Sequence, residues 1–105
     1  MKFATFHDLE DQSIFITGGG AGIGADLTKG FLSQGSKVTF IQRSNPAKFL
    51  IECKGKYKHE PTFLECDVTN TKDLKAALQT TADKQGAISE VVNNAANDNR
   101  HKLGE

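Results

Sequence analysis

Apolar and polar positions alternate in two registers along this chain. Ser13–Thr17 (SIFIT) is a short β-branched run ended by glycines, the pattern of a strand buried on both faces. From Gly22 onward Ile23, Leu27 and Phe31 recur every four residues, predicting a helix with these three on its inward face. Asp26, Thr28, Lys29 and Gln34 fall elsewhere, and Gly35 stands at the C-cap. Lys37–Gln42 (KVTFIQ) follows as a second strand, reached by a crossover rather than a hairpin. Asn45 and Pro46 read as the N-cap and first position of a short helix, Ala47 to Lys54, that Gly55 ends. A third strand is predicted over Thr62 to Val68. A helix capped by Asn70 or Thr71 follows, with Leu74, Ala77, Leu78 and Thr81 or Ala82 inward, up to Gly86. The fourth strand, about Glu90 to Asn93, runs into Asn94, Ala95 and Ala96. The polar stretch 97–105 is expected to be loose or held by another chain.

The order βαβαβαβ predicts an α/β fold in which right-handed crossovers place helices on both faces of one doubly wound parallel sheet. The first crossover opens with T-G-G-G-A-G-I-G, Thr17 to Gly24, five of whose eight residues are glycine. Phosphate binding at a helix N-terminus needs backbone N–H groups and the helix dipole close to the ligand, with no side chain in the way. In that reading Gly18 makes the turn out of the strand, Gly22 lets a pyrophosphate approach, and Gly24 lets the helix pack close to the sheet. Gly20 belongs to the same loop. A glycine motif placed between a strand and an amphipathic helix is far more specific than the motif alone.

Composition narrows the function without choosing it. A chain of 105 residues, 37% hydrophobic and 25% charged, has room for a single domain and a single site. Thirteen basic side chains balance thirteen acidic ones, so no net field favours nucleic acid or an anionic membrane. No apolar run approaches a bilayer span, and Asp8, Glu10 and Asp11 stand where a signal peptide would need apolar residues, which points to the cytoplasm. Cys53 and Cys66 read as buried thiols. His7, His59 and His101 lack metal spacing, so no metal site is expected.

Three motifs, each at the carboxyl end of its predicted strand, carry a resemblance. Thr17-Gly18 with Gly22-Ile23-Gly24, then Cys66-Asp67-Val68, then Asn93-Asn94-Ala95-Ala96, resemble the N-terminal half of a short-chain dehydrogenase/reductase. The resemblance covers about Leu9 through His101 and implies a partial Rossmann-like domain with strand order 3-2-1-4. It implies that Gly18, Gly22, Ile23 and Gly24 cradle a dinucleotide, that Asp67 and Val68 meet the adenine, and that Asn93, Asn94 and Ala95 line its ribose and tie strand four into the sheet. Ala96 departs from the family's usual glycine. Read without the family, Asp67 at a strand end can accept from an exocyclic amine or cap the turn that follows, and Asn93 and Asn94 can satisfy backbone groups.

Members that use NAD place an acidic residue at the end of strand two, about twenty residues past the glycines. Gln42 occupies that position, and Arg43 and Ser44 offer a guanidinium and a hydroxyl where the 2′-phosphate of NADP would sit, so NADP is favoured over NAD. Asn93 to Leu103 (NNAANDNRHKL) is similar to the same region of family dehydrogenases that oxidise aldoses. The family's proton-transfer pair, a tyrosine with a lysine four residues on, does not occur: Tyr57 is the only tyrosine, Pro61 follows it at that spacing, and it is assigned to the surface. No catalytic residue is therefore expected in this chain, and the catalytic half would follow Glu105. Strand four would then be an open edge prone to self-association as a homo-oligomer. The alternative is a non-catalytic nucleotide-binding or oligomerising module; a methyltransferase is disfavoured because Arg43 replaces the acid that would take a ribose diol.

Overall fold

The computed structural model describes residues 9–94. Its elements run β1 (Ser13–Thr17), α1 (Gly22–Ser33), β2 (Lys37–Gln42), α2 (Ala47–Cys53), β3 (Thr62–Glu65), α3 (Thr71–Gln85) and β4 (Ile88–Asn93). All pairings are parallel, and the strand order is β3-β2-β1-β4, as the resemblance implied. The stretch 97–105 lies outside the described residues.

Every residue of β1 is buried, because helices cover both of its faces. On one face Ile14, Ile16, Val38 and Phe40 pack with Leu32 of α1 and with Phe49 and Cys53 of α2. Phe40 meets Phe49 edge-on at 5.4 Å between ring centroids. On the other face Phe15, Ile41 and Cys66 pack with Ala77 of α3, flanked by Leu74 and Leu78. Burial pushes the thiols of Cys53 and Cys66 above their ordinary range. Asn70 caps α3 by accepting from the Asp73 N–H at 3.1 Å.

Beneath the sheet lies a polar tie that the periodicity of α3 does not mark. Gln85, in the last turn of α3, accepts from the Thr39 hydroxyl at 2.9 Å. Its amide nitrogen donates to Ser13 Oγ and to the Lys37 carbonyl, each at 2.9 Å. One side chain thereby joins α3 to the starts of both central strands.

Five expectations are corrected. The inward stripe of α1 is Gly24, Thr28 and Leu32, whereas Ile23 is 73% exposed, Leu27 is 37% exposed and Phe31 is half-buried. A Cβ on Gly24 would fall 1.8 Å from the Gly18 carbonyl oxygen, so the bare glycine face is the one that seats on the sheet. Ile23, Leu27 and Phe31 instead line an open groove of about 350 Å³ with Leu9. Strand β3 stops at Glu65 rather than Val68, because its ladder ends opposite Gln42, the last residue of β2. Strand β4 begins at Ile88, two residues early, with its register broken between Ser13 and Ile14. Finally, Pro46 is the N-cap of α2 while Asn45 Oδ1 accepts from the Ala47 N–H at 2.8 Å, and Tyr57 is half-buried against the core rather than on the open surface.

Candidate functional site

The turn from β1 into α1 takes left-handed backbone, which favours glycine, at Gly18 and Gly22. Gly18 continues the sheet by donating to the Ile41 carbonyl at 2.7 Å and then turns the chain at φ +70°. Gly22 sits at φ +55° with open space on the side where a Cβ would stand. The N-cap of α1 is Ala21, which supplies no side-chain cap, so the first-turn N–H groups have no side-chain acceptor from that position. Gly24 closes the turn against Gly18, and Asn94 of the β4 end donates to the Gly18 carbonyl at 3.1 Å.

Two residues that sequence reasoning passed over complete the turn. Thr28, fully buried, lies with its hydroxyl 2.9 Å from both the Gly19 and the Gly24 carbonyls and fixes the loop to the first turns of the helix. Gly19 has no room for a side chain: a Cβ would stand 2.5 Å from Phe40 Cβ and 2.8 Å from Thr28 Oγ1. The available signal was a hydroxyl one helical turn past Gly24, where it can reach back to a carbonyl.

Thr17 donates to Asn93 Oδ1 at 3.1 Å, so the ends of β1 and β4 are joined through side chains. Gln42 accepts from the Gly20 N–H at 2.9 Å and donates to Ser44. The structure thus gathers Thr17, Gly18, Gly20, Gly24, Gln42, Ser44, Asn93 and Asn94 into one group at the carboxyl ends of β1, β2 and β4, held by three separate sets of hydrogen bonds: Thr17 with Asn93, Gly18 with Asn94, and Gly20 with Gln42 and Ser44. Gly22 and the exposed Ile23 stand on its rim.

Arg43 and Asp67 share a separate polar cleft of about 460 Å³ with Glu65, Cys66 and Asp73. Asp67 Oδ1 accepts from both the N–H and the hydroxyl of Thr69, at 2.9 and 2.7 Å. These bonds hold its carboxyl below the usual carboxylate range, opposed by partial burial and aided by Arg43. The turn-capping reading of Asp67 therefore describes one of its oxygens. Val68 lines a more apolar cleft of about 300 Å³ with Phe15, Leu74, Leu78 and Val91. Ala95 lies outside the described residues.

Four parallel strands in this order, with a glycine turn leading from the first strand into its helix, define a Rossmann-like α/β protein. Within that class, the short chain dehydrogenase family matches residues 12–105, and the chain belongs to it. Over its whole length it is 36% identical to the D-xylose 1-dehydrogenase of Caulobacter vibrioides, of which it covers 41%. It is 34% identical over 93% of its length to a probable galactose dehydrogenase of Rhizobium meliloti, covering 39% of that protein. The aldohexose dehydrogenase of Thermoplasma acidophilum, in ligand-free form, superposes with a TM-score of 0.68 at 36% identity, over 85% of this chain and 31% of that one. The chain spans about two-fifths of the length of the curated relatives it matches. Dehydrogenases of this family use NAD or NADP, and no helix among the described residues is long and apolar enough to cross a membrane.

Proposed function

We propose that this chain is the dinucleotide-binding part of an NAD(P)-dependent oxidoreductase acting on a sugar or a related alcohol or carbonyl compound. The observation that carries the reading is the glycine turn: a helix N-terminus without a side-chain cap, at the carboxyl end of the central strand, with open space in front of Gly22. Backbone N–H groups of Gly22, Ile23 and Gly24 would meet the pyrophosphate, with Thr17, Gly18, Gly20 and Gln42 framing them. Asp67 and Val68 would meet the adenine, and Asn93, Asn94 and Ala95 the adjoining ribose. Arg43 and Ser44 favour NADP, since neither they nor Gln42 brings a carboxylate against a 2′-phosphate. The bound cofactor would supply the hydride acceptor; this chain's residues bind and orient it.

The sugar specificity rests on the aldose-oxidising relatives. Tyr57, the sole tyrosine, packs against the core near α2 and has no lysine four residues on, so this chain alone is expected to bind cofactor without turnover. Strand β4, with Val91 55% exposed, is the edge at which self-association is expected.

Calorimetric titration with NADP+, NAD+ and S-adenosylmethionine tests the reading. Binding of a dinucleotide, lost in Gly22→Val, supports it: valine at φ +55° is strained and fills the open side of the turn. Binding of S-adenosylmethionine alone, or of none of the three at millimolar concentration, refutes it.

A further inference from the structure

The side chain at the end of β2 is engaged on both sides of its amide by its own chain. Gln42 Oε1 accepts from the Gly20 N–H at 2.9 Å, while Nε2 donates to the Ser44 carbonyl at 3.0 Å, with the Ser44 hydroxyl oxygen at 3.2 Å. This orientation of the amide pairs each of its donors and acceptors with its complement. Gly20 lies so close that a Cβ there would stand 2.5 Å from Gln42 Oε1 and 3.0 Å from Phe40 Cε2. The glycine turn therefore rests directly on the carboxamide and on the ring beneath it.

From this geometry we infer that Gln42 is a positioning residue: it locks the glycine turn to the end of β2, and Gly20 is a glycine because of that contact rather than to touch a ligand. The chemistry explains the residue type. Glutamate would keep the acceptor for Gly20 but set a carboxylate against the Ser44 carbonyl. Aspartate, one methylene shorter, would fall roughly an ångström outside hydrogen-bond range of the Gly20 N–H. An ordered turn lowers the ordering cost of binding for any pyrophosphate, so Gln42 acts on NAD and NADP alike, while discrimination between them is left to Arg43 and Ser44. That consequence rests on the dinucleotide reading; the lock itself does not.

The test uses the full chain and two variants. Gln42→Met keeps the length and loses all three hydrogen bonds, whereas Gln42→Glu keeps the acceptor. Hydrogen exchange at the Gly20 amide should quicken about three- to tenfold in Gln42→Met and stay near wild type in Gln42→Glu. Affinities for NADP+ and NAD+ should fall by about the same factor in Gln42→Met, leaving their ratio within roughly twofold of wild type. In Gln42→Glu, by contrast, NADP+ should lose more than NAD+, through repulsion of the 2′-phosphate. Unchanged Gly20 exchange in Gln42→Met overturns the inference, as does a large shift in the cofactor ratio in that variant. Should the wild type bind neither dinucleotide, the proposed function fails, and the exchange comparison still decides whether Gln42 holds the turn.

Discussion

Gly24→Ala probes the fold and the candidate site together, and Gly30→Ala in the same helix is its control. A Cβ on Gly24 would sit 1.8 Å from the Gly18 carbonyl oxygen and 2.8 Å from Asn94 Nδ2, whereas one on Gly30 meets nothing within 4 Å. To reach even 3.0 Å from that oxygen, helix or turn must shift by about 1.2 Å, since the obstacle is backbone and cannot rotate away. Overpacking of this kind costs about 1–3 kcal/mol, and a backbone obstacle argues for the upper end. Losing the Asn94 bond to Gly18 adds about 1 kcal/mol. Replacing a helical glycine by alanine returns about 0.5–1 kcal/mol. The expected net effect is a loss of about 2–3 kcal/mol for Gly24→Ala and a gain of about 0.5–1 kcal/mol for Gly30→Ala. Urea unfolding followed by circular dichroism reads both as shifts of midpoint at constant slope. If Gly24→Ala proves as stable as Gly30→Ala, α1 does not seat on the turn as described.

Three further outcomes are expected. Gln85→Leu strands the buried hydroxyls of Ser13 and Thr39 and should cost about 2–4 kcal/mol in the same unfolding assay; a loss below about 0.5 kcal/mol would show that the polar tie is dispensable. Arg43→Ala should weaken NADP+ by about 1–3 kcal/mol and leave NAD+ nearly unchanged in calorimetry, and equal losses would remove the preference for NADP. Asp11 is held below the usual carboxylate range first by the hydrogen bond with His59 and then by Lys58. With its folded pKa depressed, its contribution to stability is present above the ordinary carboxylate value and fades as pH falls through the lowered one. His59→Ala should move the Asp11 carboxyl titration upward in carbon NMR, and a titration that stays in place would contradict the pairing.

Much of the architecture was local and therefore legible. Buried β-branched runs, glycines after Thr17 and the caps of α3 each act over a few residues, so the order of elements followed from the pattern, while the strand order 3-2-1-4 came from the family resemblance. Asp67, two residues past β3, and Asn94, one residue past β4, were singled out by the motifs that carry the family resemblance. The rotation of α1 was not. Residues 23, 27, 31 and residues 24, 28, 32 are neighbouring stripes about 100° apart on one helix, and hydrophobicity alone favours the first.

By itself, the sequence determined that this chain makes a parallel α/β sheet with a glycine turn between its first strand and first helix, because propensity, periodicity and glycine's freedom are properties of short segments. Only the tertiary structure decided which stripe of α1 meets the sheet: backbone approaches closest where a Cβ is missing, so Gly24, Thr28 and Leu32 turn inward and Ile23 and Leu27 outward. It also decided the partners of Gln42 and Gln85, whose amides bond to residues 22 and 72 positions away. A polar side chain chooses its partner by distance in space, and that distance exists only once the strands have paired.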